Sequence, residues 1–117
     1  MSGITIVIQD APYNGDNKAW DGLRLAGAAL TEDLAVRVHL LDDGVELARR
    51  GHQVPEGLVD LEQLLTELID CSLEVCACGM ALDGHAISEA ELVPGIQRGS
   101  MKSLMGWLRN SDQVVTL

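Results

Sequence analysis

The chain has 117 residues, of which 18 are acidic and 8 are basic, so its formal net charge is −10. This length suits one compact domain, and we predict a single domain over residues 1–117. The negative charge would repel a phosphate backbone and an anionic membrane surface, so we expect neither nucleic acid nor a membrane as partner. No segment approaches the roughly 20 consecutive apolar residues of a membrane-spanning helix.

The first residues lead directly into an apolar stretch at residues 4–8, without the basic region and cleavage site of a secretory signal. We therefore expect a cytoplasmic protein. Three cysteines, an odd number without an export signal, favour reduced thiols over a disulfide framework. Aromatic residues make up only 3% of the chain and phenylalanine is absent, and such a lean core favours oligomerisation.

The first half of the chain alternates between strand and helix patterns. A β-branched run at residues 4–8 predicts a strand, and turn residues at 11–16 follow it. A helix is expected from Asp16 onward, because apolar residues recur at helical spacing. Residues 34–41 alternate between apolar and polar side chains and predict a second strand.

The second half repeats this alternation. We predict a short helix at residues 45–50, a surface loop at 51–57, a helix with an apolar stripe from Leu58 to Ile69 and an extended segment at 72–76. A helix that starts near Ser100 and a strand at 113–117 complete the pattern. The predicted fold class is therefore α/β, with a mostly parallel sheet of about five strands and helices on both faces.

In such sheets the binding crevice lies beyond the carboxyl ends of the strands. That rule selects residues 9–16, 42–57 and 76–87, and the third segment contains Cys76 and Cys78. If the strand ends near Cys76, backbone amides become free around Cys78, and unpaired amides stabilise a thiolate. Gly79 would let a bulky sulfur donor approach. Whether His85 returns to meet the sulfur stays open.

The other cysteines and histidines have simpler interpretations. Cys76 and Cys71 are expected to pack as small apolar residues, and Cys78 itself has that alternative. His39 and His52 are expected to be ordinary surface groups or satisfied ones.

Metal and cofactor sites find little support in the residue spacing. Cys76, Cys78, His85 and His52 lack the paired spacing of structural zinc sites, and we predict no metal site. Gly22 and Gly27 match neither a phosphate-binding loop nor a dinucleotide fingerprint, so no cofactor is expected.

Several motifs, in this order, resemble the DsrE/DsrF-like family and in particular its YchN-type members. They are Ala11-Pro12-Tyr13, Leu23-Arg24-Leu25-Ala26, Leu40-Leu41-Asp42-Asp43-Gly44-Val45, Cys78-Gly79, Asp83-Gly84-His85-Ala86-Ile87-Ser88, Gly95-Ile96 and the closing Asp112-Gln113-Val114-Val115-Thr116-Leu117. The resemblance covers essentially the whole chain. It implies a flavodoxin-like three-layer fold and a homotrimer or homohexamer.

The resemblance also implies a function and a set of site residues. Cys78 would accept a sulfane sulfur as a persulfide, with His85 as its catalytic neighbour. Gly79, Tyr13 and Asp43 would contact the substrate, and the partners would be sulfur-donor and sulfur-acceptor proteins.

Two departures from the family pattern bear on this function. Ala81 stands where many YchN-like sequences have a second cysteine, so a persulfide would have to leave to a partner thiol or to Cys76. His85-Ala86 stands where they have Arg-Gly, which makes any stabilising charge dependent on pH.

Three hypotheses follow. The first is a sulfur carrier or sulfurtransferase-like subunit that uses Cys78. The second is a non-catalytic oligomeric binding or scaffold protein of the same fold, in which Cys78→Ala would change nothing. The third is a metal- or ligand-binding module in the same crevice, which elemental analysis would detect.

Overall fold

The structure is a computed structural model that describes residues 3–117, so residues 1 and 2 of the expected domain lie outside the described part. One sheet holds five strands in the order β4-β3-β2-β1-β5, and every neighbouring pair is parallel. The strands are β1 (Gly3–Ile8), β2 (Ala35–Leu40), β3 (Glu74–Cys78), β4 (Gln97–Gly99) and β5 (Gln113–Thr116). The predicted α/β class and parallel sheet are confirmed.

Helices connect the strands, as parallel neighbours require. The α-helices are α1 (Lys18–Leu30), α2 (Leu61–Asp70), α3 (Gly79–Gly84) and α4 (Met101–Arg109). Two 3₁₀ helices cover Asp42–Ala48 and Glu89–Glu91. No helix in residues 3–117 combines the length and the apolar character needed to cross a membrane.

The main core lies on one face of the sheet. Alternate residues of β1 and β2 point to this face because side chains alternate along a strand, and they pack with the apolar sides of α1 and α2. The buried members of this core include Ile4, Ile6, Ile8, Val36, Val38, Leu40, Leu23, Ala26, Leu65 and Leu68.

The opposite face carries polar side chains and is covered in part by α4. Thr5, Arg37 and His39 alternate with the core residues, and β1–β2 pairing places Thr5 beside Arg37. The indole of Trp107 on α4 meets the His39 ring edge-on, with 5.7 Å between centroids, and the Arg37 guanidinium lies 5.7 Å from the same indole. Helices therefore cover both faces, as predicted.

Some element boundaries differ from the predicted ones. β3 begins and ends two residues later than expected, so it includes Cys78. The helix α2 begins at Leu61, because the Asp60 side chain caps it by accepting a hydrogen bond from the Gln63 amide at 3.1 Å. Residues 42–48 form a 3₁₀ helix in place of the expected helix at 45–50. The three-residue strand β4 was not predicted.

The carboxyl ends of β1, β2 and β3 meet at one edge of the sheet. Gly44 holds the 3₁₀ helix Asp42–Ala48 close to the end of β1, since a Cβ there would collide with the backbone carbonyl of Ile8. The segments that follow β2 and β3 therefore face each other across this edge, as expected for a doubly wound sheet.

Candidate functional site

Cys78 is the last residue of β3 and immediately precedes α3. Its side chain is 7% exposed and belongs to the main core cluster, so the sulfur is more covered than the sequence suggested. In the sheet Cys78 pairs with Gly99 at the end of β4. The thiol therefore lies at the carboxyl edge of the sheet, at the junction of a strand and a helix, and is nearly buried.

Arg98 on β4 lies against the next residue of the chain, Gly79. Its Nε, Cζ and Nη2 atoms lie 2.7–2.8 Å from the point where a Cβ of residue 79 would stand. A side chain at residue 79 would therefore displace the guanidinium, which is the far end of a flexible side chain. The contact of Gly79 with an incoming substrate stays a prediction.

Asp83 holds Arg98 in this position. Nη1 and Nη2 of Arg98 donate to the two carboxylate oxygens of Asp83 at 3.0 and 2.9 Å, a bidentate pair. These hydrogen bonds keep the pKa of Asp83 below its usual value. The hydrogen bond from Arg98 to Asp83, with smaller contributions from Glu89 and Cys78, keeps the pKa of Arg98 above its usual value.

His85 contacts two carboxylates and makes no hydrogen bond to Cys78. Its Nδ1 lies 2.8 Å from Oε2 of Glu46, and its Nε2 lies 3.1 Å from Oδ1 of Asp43. The structure thus brings together His85 and Asp43, which were both predicted as site residues. Both ring nitrogens of His85 therefore lie within hydrogen-bond distance of a carboxylate oxygen.

Glu46 and Arg49 complete this network, and sequence reasoning missed both. Arg49 donates to Glu46 through Nε at 2.9 Å and Nη2 at 3.2 Å, and through Nη1 to Glu91 at 3.1 Å. Its Nη2 also donates to the His85 carbonyl at 3.1 Å. Partial burial alone would raise the pKa of Glu46, but the hydrogen bonds from Arg49 and His85 outweigh it and leave that pKa lowered.

Tyr13 belongs to a separate cavity. Its backbone has φ 59°, in the left-handed region, and its hydroxyl donates to the Val59 carbonyl at 2.7 Å and accepts from the Leu61 amide at 2.9 Å. The cavity, of ≈ 360 Å³, is lined by Tyr13, Trp20 and residues of the two adjoining loops. No residue of β3 or α3 lines it, so Tyr13 and Cys78 do not share a pocket.

His39 corrects an expectation, because it is neither a surface group nor a satisfied one. It is fully buried, and neither ring nitrogen has a hydrogen-bond partner among the described residues. Burial lowers its pKa, and the nearby Ser100 backbone opposes this only weakly, since it does not reach hydrogen-bond geometry. We therefore expect a neutral imidazole.

The remaining cysteines differ from each other. Cys76 is 7% exposed, and burial, followed by the charge of Glu74, raises the pKa of its thiol. This fits the predicted packing role. Cys71 is exposed at the end of α2, so the packing expected for it is wrong.

In residues 3–117 no group of three or more His, Cys, Asp or Glu side chains is arranged to hold a metal.

Comparison with known proteins decides the family. A model of the DsrE/DsrF-like family matches residues 2–117. The chain belongs to the DsrE/DsrF-like family. An uncharacterized protein of Methanopyrus kandleri is 37% identical over 112 residues, which is 96% of this chain and 91% of that protein. An uncharacterized protein of Methanocaldococcus jannaschii is 33% identical over 112 residues, 96% of each.

Solved structures agree with this DsrE-like assignment. The crystal structure of the YchN protein from E. coli is 33% identical, covers 100% of both chains and superposes with a TM-score of 0.92. A protein of unknown function from Methanobacterium thermoautotrophicum has a TM-score of 0.72 at 17% identity, again over 100% of both chains, and shows the fold alone. The family is associated with sulfur relay.

This DsrE-like chain has an arginine from another strand, Arg98, against Gly79. His85 stands where many YchN-like sequences have arginine, and it pairs with carboxylates instead of Cys78. A guanidinium nevertheless lies beside Cys78-Gly79, because Arg98 approaches from β4. Sequence patterns indicate the position of Arg98 only weakly, because that position depends on β4, a three-residue strand without apolar side chains.

Proposed function

We propose that this chain is a sulfur carrier in which Cys78 accepts a sulfane sulfur as a persulfide and passes it to a partner protein. The observation that carries the proposal is the position of Cys78 at the carboxyl edge of the parallel sheet, directly before Gly79, against which a guanidinium lies. Membership of a family associated with sulfur relay supports it.

The position suits nucleophilic attack on sulfur. The first amides of α3 have no partner within the helix, so they can donate to a reacting anion at this point. Arg98 adds a full positive charge on the side of Gly79. The thiolate is the form that attacks a sulfane sulfur.

The transfer is a thiol exchange without net oxidation. The Cys78 thiolate attacks the outer sulfur of a donor persulfide R–S–SH, the donor S–S bond breaks, and R–S⁻ leaves with the electron pair. Cys78 then carries –S–SH. Delivery repeats the exchange with an acceptor thiolate as nucleophile and Cys78 as leaving group.

The acceptor is proposed to be a thiol of another protein. Ala81 offers no second thiol on α3, and the raised pKa of Cys76 makes its thiolate scarce. Sulfur-donor and sulfur-acceptor proteins are therefore the proposed partners. Because Cys78 is only 7% exposed, the residues around the thiol must shift to admit these partners.

We also propose a homotrimer or homohexamer. The helix α4 buries Leu104 but leaves Met101 62% and Met105 54% exposed, and Val114 on the adjoining part of the chain is 48% exposed. Apolar side chains on one region of an otherwise acidic protein favour a contact between copies.

Single-cysteine proteins provide the test. Trypsin would leave all three cysteines on one peptide, because no Lys or Arg lies between Arg50 and Arg98. Three variants that each keep one cysteine avoid this ambiguity. After treatment with a small-molecule persulfide, the protein that keeps Cys78 should gain one sulfur, and the protein that keeps the exposed Cys71 measures unspecific loading.

The near burial of Cys78 favours one alternative, a non-catalytic oligomeric scaffold protein of the same fold. In that case the thiol is a packing residue. Cys78→Ala would then leave assembly and binding unchanged, and the protein that keeps only Cys78 would gain no sulfur beyond the Cys71 control.

A further inference from the structure

We propose that Arg98 gives Cys78 its selectivity for anionic sulfur donors and that Asp83 limits this selectivity. The inference rests on the proposed function and deepens it by naming the donor class. It assigns a specificity-determining role to a residue on β4 that the motifs around Cys78 do not contain.

The backbone brings Arg98 to the end of β3. Arg98 pairs with Ala77 and Gly99 pairs with Cys78 across β3 and β4. Its guanidinium then lies against Gly79, the neighbour of Cys78 on the other strand, with Nε at 2.7 Å from the missing Cβ position. An anion that approaches Cys78 over Gly79 must pass this guanidinium.

Arg98 keeps hydrogen-bond capacity for such an anion. A guanidinium has five N–H donors, and Asp83 takes one from Nη1 and one from Nη2. Within residues 3–117 no acceptor is recorded for the Nε–H or for the second hydrogen of either Nη. A bound anion can therefore contact Arg98 while the pair with Asp83 persists.

The charge of the chain explains why such a residue is needed. The formal net charge is −10, and Asp83 and Glu89 both raise the pKa of Arg98. Persulfides and thiosulfate are anions near neutral pH, so the protein as a whole repels them. A local cation against Gly79, the residue that follows Cys78, offsets this repulsion.

Thiosulfate illustrates the balance for a small donor. The Cys78 thiolate attacks the outer sulfur, the S–S bond of thiosulfate breaks, and sulfite leaves with the bonding electron pair. Cys78 is left as a persulfide anion, so total charge is conserved and no oxidant is consumed. Both the donor and the product carry negative charge close to Arg98.

Alkylation tests the inference without any sulfur transfer. A protein with Cys71→Ser and Cys76→Ser leaves Cys78 as the sole thiol, and its alkylation rates with anionic iodoacetate and neutral iodoacetamide are compared at one pH. Both reagents react with the same thiolate, so the thiolate fraction cancels in the ratio of the two rates. We expect Arg98→Gln to lower this ratio about three- to tenfold, the effect of one partly screened charge.

Two matched variants and salt complete the design. Arg98→Lys keeps the charge and should restore most of the ratio, while Asp83→Asn should raise it. Added salt should shrink the difference between the parent and Arg98→Gln, because it screens charge. Arg98 and Asp83 are exposed, and thermal melting checks that each variant is folded.

The result that overturns the inference is a rate ratio unchanged within twofold in both Arg98→Gln and Asp83→Asn. This outcome is distinct from failure of the proposed function. If Cys78 gains no sulfur from a persulfide but the ratio responds to Arg98, the guanidinium selects anions at a thiol that serves another reaction. If Cys78 is loaded and the ratio does not respond, donor selectivity arises elsewhere.

Discussion

The guanidinium of Arg98 fills the space in which a side chain at residue 79 would stand, with its Cζ 2.8 Å from the Cβ position that Gly79 lacks. This relationship joins β4 to the start of α3 and sets the surroundings of Cys78. A glycine that the sequence suggests for substrate access therefore also serves an internal contact.

Gly79→Ala tests this contact. The added methyl would displace the guanidinium, since 2.7–2.8 Å is below any normal carbon contact. We expect the iodoacetate-to-iodoacetamide ratio at Cys78 to fall as in Arg98→Gln. Gly84→Ala, in the same helix but with open space around its Cβ position, is the control and should keep the parental ratio. Equal ratios in both variants would contradict the contact.

Glu46→Gln tests the carboxylate network. The pKa of Glu46 is lowered in the folded protein, so its ionised form contributes stability above the unfolded pKa, and this contribution is lost as pH falls through the folded pKa. We expect the variant to be less stable at neutral pH and to lose less stability than the parent on acidification below 4.5. Urea unfolding at several pH values measures this.

The exposed Glu56→Gln serves as the control for Glu46→Gln, because it changes the formal charge by the same amount. It should leave the pH dependence of the free energy of unfolding close to the parental one. If the pH dependence of the free energy of unfolding changes equally in both variants, net charge, and not the contacts with Arg49 and His85, governs the effect.

His39→Phe is expected to stabilise the protein. It removes two buried nitrogens without partners, which cost roughly 1–3 kcal/mol each when unsatisfied, and keeps an aromatic ring against Trp107. The lowered pKa of His39 means that the unfolded chain takes up a proton first, so parental stability falls as pH drops below 6.5. The variant should lose this part of the pH dependence.

His39→Gln is the matched variant, because it keeps buried polar atoms and cannot take up a proton. It should lose the same pH dependence without the gain in stability. If His39→Phe destabilises the protein at pH 8 in chemical unfolding, a water or another polar partner satisfies the imidazole, and the account of this face is wrong.

Charge on α4 tests the proposed assembly. Met101→Lys combined with Met105→Lys places two cations in the exposed apolar region, and we expect the oligomer to dissociate. Sedimentation equilibrium measures the mass. Leu25→Lys, at an apolar residue of α1 that is 38% exposed, should leave the mass unchanged. A parental protein that is monomeric at all concentrations would contradict the assembly itself.

Periodicity was sufficient for the sheet but not for every strand. β1 and β2 show β-branched runs or strict alternation, which predict strands directly. β4 reads Gln-Arg-Gly and has no apolar residue, so only its pairing with β3 makes it a strand. The alternation of apolar and polar residues along β2 suggested that His39 faces solvent. In the structure α4 covers that face and buries the ring.

The sequence predicted only those residues of the candidate site that lie on one continuous segment. Cys78 and Gly79 were selected because the strand-end rule and the family motifs coincide there, although β3 ends two residues later than predicted. Arg98 and Glu46 were missed, since each reaches the site from a segment that is distant in sequence and carries no motif. His85 was placed correctly at the sheet edge, but side-chain geometry directs it to Glu46 and Asp43.

The most direct test of the central claim is the intact mass of the three single-cysteine proteins after exposure to a small-molecule persulfide and removal of excess reagent. We predict one added sulfur on the protein that keeps Cys78, released by dithiothreitol, and little on the proteins that keep Cys71 or Cys76. Loading that is equal at Cys71 and Cys78, or absent at Cys78, would contradict the assignment of this thiol as a sulfur carrier.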